Sequence, residues 1–124
     1  MERLLLEKTE DTPHVEFNQE KNFFIIEGRS LPENAVLFYD QLLNWLRDYG
    51  KNPNKTSNFD FKLDYFNTAS AKQITKLLLV LQALSEKSEI IIRWFYLEGD
   101  VDIHSSGIRF SKLIHANIQI VPYN

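Results

Sequence analysis

The 124-residue chain has the length and composition of one compact domain, since 44% of its residues are hydrophobic, 25% are charged, and glycine and proline number only 4 each. It contains no cysteine, which excludes disulfides and thiol chemistry. The formal charge of −3, with lysine and arginine scattered along the chain, argues against a nucleic-acid partner. The apolar run near the start, Leu4 to Leu6, is too short for a signal peptide or a membrane span, so we expect a cytoplasmic protein that does not insert into membranes.

The first half of the chain predicts a loose segment, a hairpin and a helix. Residues 1–12 are predicted to be loose, and residues 14–17 and 22–27 are predicted to pair as antiparallel strands. Ser30 followed by Glu33 has the pattern of a capping box at the start of a helix. Up to Gly50, apolar residues then recur every three or four positions, which predicts one buried face: Ala35, Phe38, Leu42, Trp45, Leu46 and Tyr49.

The second half alternates strands and helices. Residues 59–65 alternate strictly between apolar and polar, which predicts a strand with one buried face that includes Tyr65. A second helix is predicted over 68–86, a central strand over 89–97, a weaker helix to about Leu113, and a last strand over 118–121. The order ββαβαβαβ predicts a single α/β domain over residues 1–124, with a mixed sheet of about five strands, two long crossover helices and a weaker third helix.

The sequence lacks the local motifs of acyl transfer, nucleotide hydrolysis and zinc hydrolysis. Asp100 and Asp102, with His104 nearby, could serve acid–base or metal chemistry, but after Gly99 and before a helix the two carboxylates serve equally as turn and capping residues. A small enzyme or ligand-binding domain that uses these three residues is therefore the alternative function. Otherwise we predict no catalytic residue, no metal and no cofactor.

The junction between the strand at 59–65 and the helix that follows it places Thr68 at the end of the sheet. The first N–H groups of a helix lack internal partners and carry partial positive charge, so a phosphate is favoured there. The first helix is expected to have Glu33 in its opening turn, whereas the second is expected to open with the small residues 69–71, with Lys72 close by. Physical reasoning leaves two interpretations open: Asn67 or Thr68 is simply the N-cap, or Thr68 accepts a phosphoryl group.

Two motifs carry a resemblance to a known family. Residues 28–34 read Gly-Arg-Ser-Leu-Pro-Glu-Asn and residues 63–70 read Leu-Asp-Tyr-Phe-Asn-Thr-Ala-Ser; the likeness continues through 93–96 and the turn at 99–102. In these features the chain resembles the SiaC family of bacterial regulatory phosphoproteins. It departs from the family pattern at Ala69, where the family often has serine, and at 104–107, which is less acidic than expected.

The resemblance implies a STAS-like fold, similar to anti-sigma-factor antagonists, and a role in a bacterial partner-switching module. It implies that Thr68 is phosphorylated by a kinase and dephosphorylated by a PP2C-like phosphatase. In studied relatives the unphosphorylated form binds and activates a diguanylate cyclase, which links the module to cyclic di-GMP and biofilm regulation. On this basis we expect a non-enzymatic signalling protein whose partner contacts lie beside Thr68, at Tyr65, Asn67, Ala69, Ser70 and Lys72.

Overall fold

Six strands and three helices follow one another along residues 1–124, all of which the computed structural model describes. The elements are β1 (Leu4–Leu6), β2 (His14–Asn18), β3 (Phe23–Ser30), α1 (Ala35–Tyr49), β4 (Thr56–Phe66), α2 (Thr68–Leu84), β5 (Glu89–Leu97), α3 (Val101–Leu113) and β6 (Asn117–Tyr123). The strands form one sheet in chain order. The pairs β1–β2 and β2–β3 are antiparallel, and the three later pairs are parallel and joined by helices. The predicted α/β fold with a mixed sheet is confirmed.

The sheet has one strand more than the five predicted, because β1 forms inside the segment expected to be loose. Leu4 to Leu6 pair antiparallel with β2, and Leu4 and Leu6 pack against the edge of the hydrophobic core. The indole Nε1 of Trp45 also donates a hydrogen bond of 2.9 Å to the carbonyl of Glu2. Contacts with residues distant in sequence therefore hold these three leucines in a strand. The sequence of residues 4–6 alone does not predict such contacts.

All three helices cover the same face of the sheet. Alternate residues of the strands, such as Phe59, Phe61 and Leu63 in β4, are at most 2% exposed and join a single cluster of 24 buried residues with side chains from every helix. The intervening strand residues are half-exposed on the opposite face, where Arg93 makes a bidentate pair with Asp60 at 2.7 and 2.8 Å. None of the helices is both long enough and apolar enough to cross a membrane.

The start of α1 differs from the predicted capping box. Asn34 is the N-cap, and its side chain accepts a hydrogen bond from the N–H of Leu37. Ser30 is instead the last residue of β3 and is fully buried. The predicted cap is wrong because the hydroxyl of Ser30 has a buried tertiary partner, the phenol of Tyr39 on α1, at 2.6 Å.

The end of β4 departs from strict alternation. The pairing with β3 passes from Gly28↔Leu63 to Arg29↔Tyr65, so that Asp64 is an extra residue in β4. A bulge of this kind moves the following side chains to the other face, and Tyr65 is 51% exposed. The expectation that Tyr65 lies on the buried face is therefore wrong, and its ring is available at the surface.

Candidate functional site

Thr68 is the first residue of α2 and is exposed at the carboxyl end of β4. The N-cap is Asn67, whose side-chain oxygen accepts a hydrogen bond of 2.8 Å from the N–H of Ser70. Of the two capping candidates, Asn67 therefore has that role. The hydroxyl of Thr68 is left free for other chemistry.

The first turn of α2 can accept additional negative charge. The N–H of Ser70 is bonded to the cap and that of Ala71 to the carbonyl of Asn67, which leaves the N–H groups of Thr68 and Ala69 without partners in the chain. No acidic residue lies in this turn. Partial positive charge at the helix start is consequently uncompensated directly beside the Thr68 hydroxyl.

A buried network of hydroxyl groups attaches this junction to the rest of the fold. The Oγ of Ser30 lies 2.6 Å from the Tyr39 phenol and 2.9 Å from the Oγ of Ser70. The Ser70 hydroxyl donates to the carbonyl of Ser30 at 3.0 Å, and the N–H of Asn67 donates to the same carbonyl at 3.2 Å. Burial raises the pKa of Tyr39 to about 12, although the hydrogen bonds with Ser30 and Ser70 act in the opposite direction. The end of β3, the middle of α1 and the start of α2 are thus held together.

The five residues expected to contact a partner differ in exposure. Tyr65, Ala69 and Lys72 are exposed, and Asn67 is half-buried and acts as the cap. Ser70 is fully buried, so its predicted partner contact is wrong. Its hydroxyl is bonded to Ser30 inside the protein, and it positions the junction instead.

Two concave regions meet at Thr68. The α3-side depression, of about 390 Å³, separates the junction from α3; its charged residues are Asp64, Asp100, Asp102 and Arg109. The α1-side groove, of about 680 Å³, lies between the first turns of α1 and α2 and is lined by Glu33, Val36, Ala69, Lys72 and Gln73 among others. Thr68 lines both, so a group attached to its hydroxyl can occupy either one.

The residues of the alternative enzymatic function do not converge. Asp100 and Asp102 line the α3-side depression, but Asp100 is the N-cap of α3 and accepts a hydrogen bond of 3.1 Å from the N–H of Ile103. The His104 ring lies outside the depression and stacks on Tyr96, with ring centroids 4.4 Å apart. The chain contains no group of three or more histidine, aspartate or glutamate side chains arranged to hold a metal ion. The geometry therefore favours the capping interpretation for Asp100, while Asp102 is an exposed residue in the first turn of α3.

Sequence reasoning missed several residues near the site. From the sequence alone, Ser30 and Tyr39 are assigned no role at the site. Ser30 bonds to Ser70, 40 positions away, and Tyr39 bonds to Ser30, and such tertiary contacts leave no periodic signal in the sequence. Arg109 was also missed; it is an exposed residue of α3 that donates to the Oγ of Ser106 at 3.1 Å. A tyrosine inside an amphipathic helix, nine residues after a strand-end serine, is the one signal that could have suggested the network.

Comparison with known proteins identifies relatives along nearly the whole chain. Residues 6–123 match the family model described as SiaC family regulatory phosphoprotein. An uncharacterised protein of Pseudomonas aeruginosa strain UCBPP-PA14 is 25% identical over 97 residues, which cover 77% of each chain.

Solved structures match the fold closely. SiaC of Pseudomonas aeruginosa superimposes with a TM-score of 0.88 at 21% identity, over 99% of this chain and 100% of the other. A chain from the crystal structure of the diguanylate cyclase SiaD in complex with its activator SiaC, from the same organism, matches with a TM-score of 0.90 at 21% identity, over 97% of this chain and 99% of the other. At this level of identity the structural likeness establishes the fold.

Proposed function

The chain belongs to the SiaC family of regulatory phosphoproteins, and from this premise we propose that Thr68 is its phosphorylation site and that phosphate there controls the binding of an effector protein. The proposal assigns no chemistry to the chain itself. A kinase adds the phosphoryl group and a PP2C-like phosphatase removes it, so both enzymes act on the chain as partners. Since a kinase and a cyclase consume nucleoside triphosphates, the proposal also locates the protein in the cytoplasm.

One observation carries the proposal: the hydroxyl of Thr68 is exposed at the start of α2, while Asn67 supplies the cap. Phosphorylation requires access to the hydroxyl. Because Asn67, and not Thr68, caps the helix, modification of Thr68 removes no capping interaction. A phosphoryl group adds about −1.5 to −2 charges and three acceptor oxygens. On the exposed surface around Tyr65, Ala69 and Lys72, that addition changes which protein can bind.

We propose a diguanylate cyclase as the effector, by analogy with SiaC, the activator found in complex with the diguanylate cyclase SiaD. The unphosphorylated chain is the form that binds, because a dianion placed at the contact surface would have to lose its hydration or face the partner unpaired. The partner contacts of this proposal are Tyr65, Ala69 and Lys72, which are exposed, together with the cap residue Asn67.

The test compares the full chain carrying either threonine or phosphothreonine at position 68. Calorimetry against a purified diguanylate cyclase from the same genome should show affinity at least about tenfold lower for the phosphorylated chain, equivalent to about 1.4 kcal/mol. A chain with phosphothreonine at exposed Thr9 adds the same charge elsewhere and should bind like the unmodified protein. Thr68→Val should bind and should not respond to the kinase. Equal affinity of the two position-68 forms would refute the proposal.

A further inference from the structure

We propose that the phosphoryl group on Thr68 turns into the α1-side groove, where Lys72 is its counter-ion, and so occupies the part of that groove beside Lys72. The inference rests on the proposed phosphorylation of Thr68 and specifies where the phosphate lies. Thr68 lines both the groove and the α3-side depression, so the question is which of the two receives the phosphate.

Charge favours the groove. The α3-side depression contains three carboxylates, those of Asp64, Asp100 and Asp102, against the single guanidinium of Arg109. The groove contains one carboxylate, Glu33, and one ammonium group, Lys72. A phosphate dianion is repelled by the net negative depression and meets no net charge in the groove.

Lys72 is placed to reach the phosphate. It lies four residues after Thr68 on α2, and side chains separated by four positions are neighbours on a helix surface. Helical side chains also lean toward the N-terminus, which directs Lys72 toward Thr68. On a helix, an acidic group four positions before a lysine forms a more stabilising ion pair than a lysine four positions before an acidic group. Lys72 is exposed and takes part in none of the three ion pairs of the chain, so its ammonium group is not paired with Glu33, the carboxylate of the same groove.

The groove also contains a polar group that the chain itself does not satisfy. Gln73 lines the groove and is 5% exposed, and its Oε1 has no hydrogen-bond partner. Ser88 Oγ is the only other buried side-chain atom of the protein in this condition. This oxygen is a hydrogen-bond acceptor, as are all the oxygens of a phosphate dianion, so Gln73 Oε1 does not bind the phosphate and Lys72 is the group in the groove that attracts it. Helix α2 has no acidic residue in its first turn, which leaves its start uncompensated at the groove. Glu33, expected in the first turn of α1, lies just before the N-cap Asn34 and borders the groove, so that expectation is wrong.

The consequence is a surface that differs between the two states. Without phosphate the groove is open and the side chain of Val36, which is 52% exposed, borders it. With phosphate the groove holds the phosphoryl group and Lys72, and both become unavailable to a partner. Phosphorylation therefore removes part of the binding surface as well as adding charge.

The experiment measures the second pKa of phosphothreonine 68, which lies near 6 when unperturbed, by ³¹P NMR titration of the full chain. The modified residue is installed during translation, so no kinase is needed. Lys72→Gln should raise this pKa by about 0.3, the size expected for one ion pair between positions four apart. Lys72→Arg should restore the wild-type value. Arg109→Gln, the matched control, removes one positive charge from the other side of Thr68 and should raise the pKa by clearly less than Lys72→Gln does.

None of the three histidines lines either region, so no histidine adjoins the phosphate over this pH range. Thermal melting of the unphosphorylated variants checks that each still folds. An unchanged pKa in Lys72→Gln would overturn the inference, and so would a rise in Arg109→Gln equal to or larger than that in Lys72→Gln. These outcomes are independent of effector binding, so the failure of this inference is distinguishable from the failure of the proposed function.

Discussion

The junctions β4–α2 and β5–α3 both lead from a parallel strand into a capped helix, but they differ in charge. In each, a parallel strand leads into a helix whose N-cap side chain accepts a hydrogen bond from the helix, Asn67 in α2 and Asp100 in α3. The first turn of α3 contains Asp102 and a carboxylate cap, whereas the first turn of α2 has no acidic residue and a neutral cap. Helix α3 therefore already has the negative charge that a helix start favours, and α2 is left able to receive it.

The two helices also differ in how they are attached to the core. The start of α2 is held by the buried hydroxyls of Ser30, Tyr39 and Ser70. Helix α3 lies against Trp94, whose Nε1 donates to the carbonyl of Ile103 at 2.9 Å. Hydrogen bonds between side-chain hydroxyls hold one junction, and the buried Trp94 indole, by its packing and its hydrogen bond, holds the other, so each should fail under a different kind of substitution.

The largest effect should come from Gly107→Ala in α3. A Cβ at position 107 would overlap Cδ1 of Trp94 and lie 2.8 Å from its Nε1, and this indole is completely buried. The indole would have to move and lose its hydrogen bond, so we expect the free energy of unfolding to fall by about 3 kcal/mol. Urea denaturation measures it, with Lys112→Ala on the exposed side of α3 as the control. A loss no larger than that of the control would show that α3 is not fixed by this contact.

The next effect concerns pH and the hydroxyl network. Because the pKa of Tyr39 is about 12 in the folded protein and 10.0 without the fold, the folded state resists deprotonation. This contribution to stability is complete below pH 10 and is lost as the pH rises toward 12, amounting to about 2 kcal/mol. Urea denaturation of the wild type and Tyr39→Phe at pH 8 to 11.5 should show a steeper decline for the wild type. Parallel curves would contradict a buried, hydrogen-bonded phenol.

A smaller effect distinguishes the cap from the proposed phosphorylation site. Asn67→Ala should lower the free energy of unfolding by about 1 kcal/mol, because the N–H of Ser70 loses its partner. Thr68→Ala should cost no more than a few tenths of that amount, since its hydroxyl does not cap the helix. Chemical denaturation of both variants under identical conditions gives the comparison. Equal losses would mean that Thr68 shares the capping role.

The smallest effect tests the electrostatic contrast itself. Thr68 and Val101 are the first residues of α2 and α3, and both are exposed. Thr68→Glu should stabilise the protein by about 0.5 kcal/mol relative to Thr68→Gln, because it adds a carboxylate to an uncompensated helix start. Val101→Glu should give no gain over Val101→Gln, because Asp100 and Asp102 repel the added charge. Equal stabilisation by glutamate over glutamine at positions 68 and 101, measured at low salt, would show that the two helix starts do not differ in charge.

Much of the fold was predictable because it depends on local periodicity. The alternation at Phe59, Phe61 and Leu63 predicted the buried face of β4, and the change of period at Asn67 located the start of α2. The bulge that exposes Tyr65 was not predictable, since it appears only in the pairing of β4 with β3. Strand β1 was not predictable for the same reason: the three leucines form a strand only by pairing with β2.

The candidate site was predictable in position and less so in detail. The step from strand to helix indicated that the Thr68 hydroxyl would be accessible, but phosphorylation was inferred from the family resemblance and not from the residues alone. The burial of Ser70 could not be foreseen, because its partner Ser30 lies 40 positions away and a serine in a first helical turn is usually exposed. Side chains that bond across the fold leave no signal in the sequence near the site.

The most direct test of the central claim is to find where the native protein carries phosphate. Purification from its own cells, followed by intact-mass measurement and fragmentation, should place a phosphoryl group on Thr68, and incubation with a purified PP2C-like phosphatase should remove it. Phosphate located on another hydroxyl, or a chain that stays unmodified under every growth condition, would contradict the account.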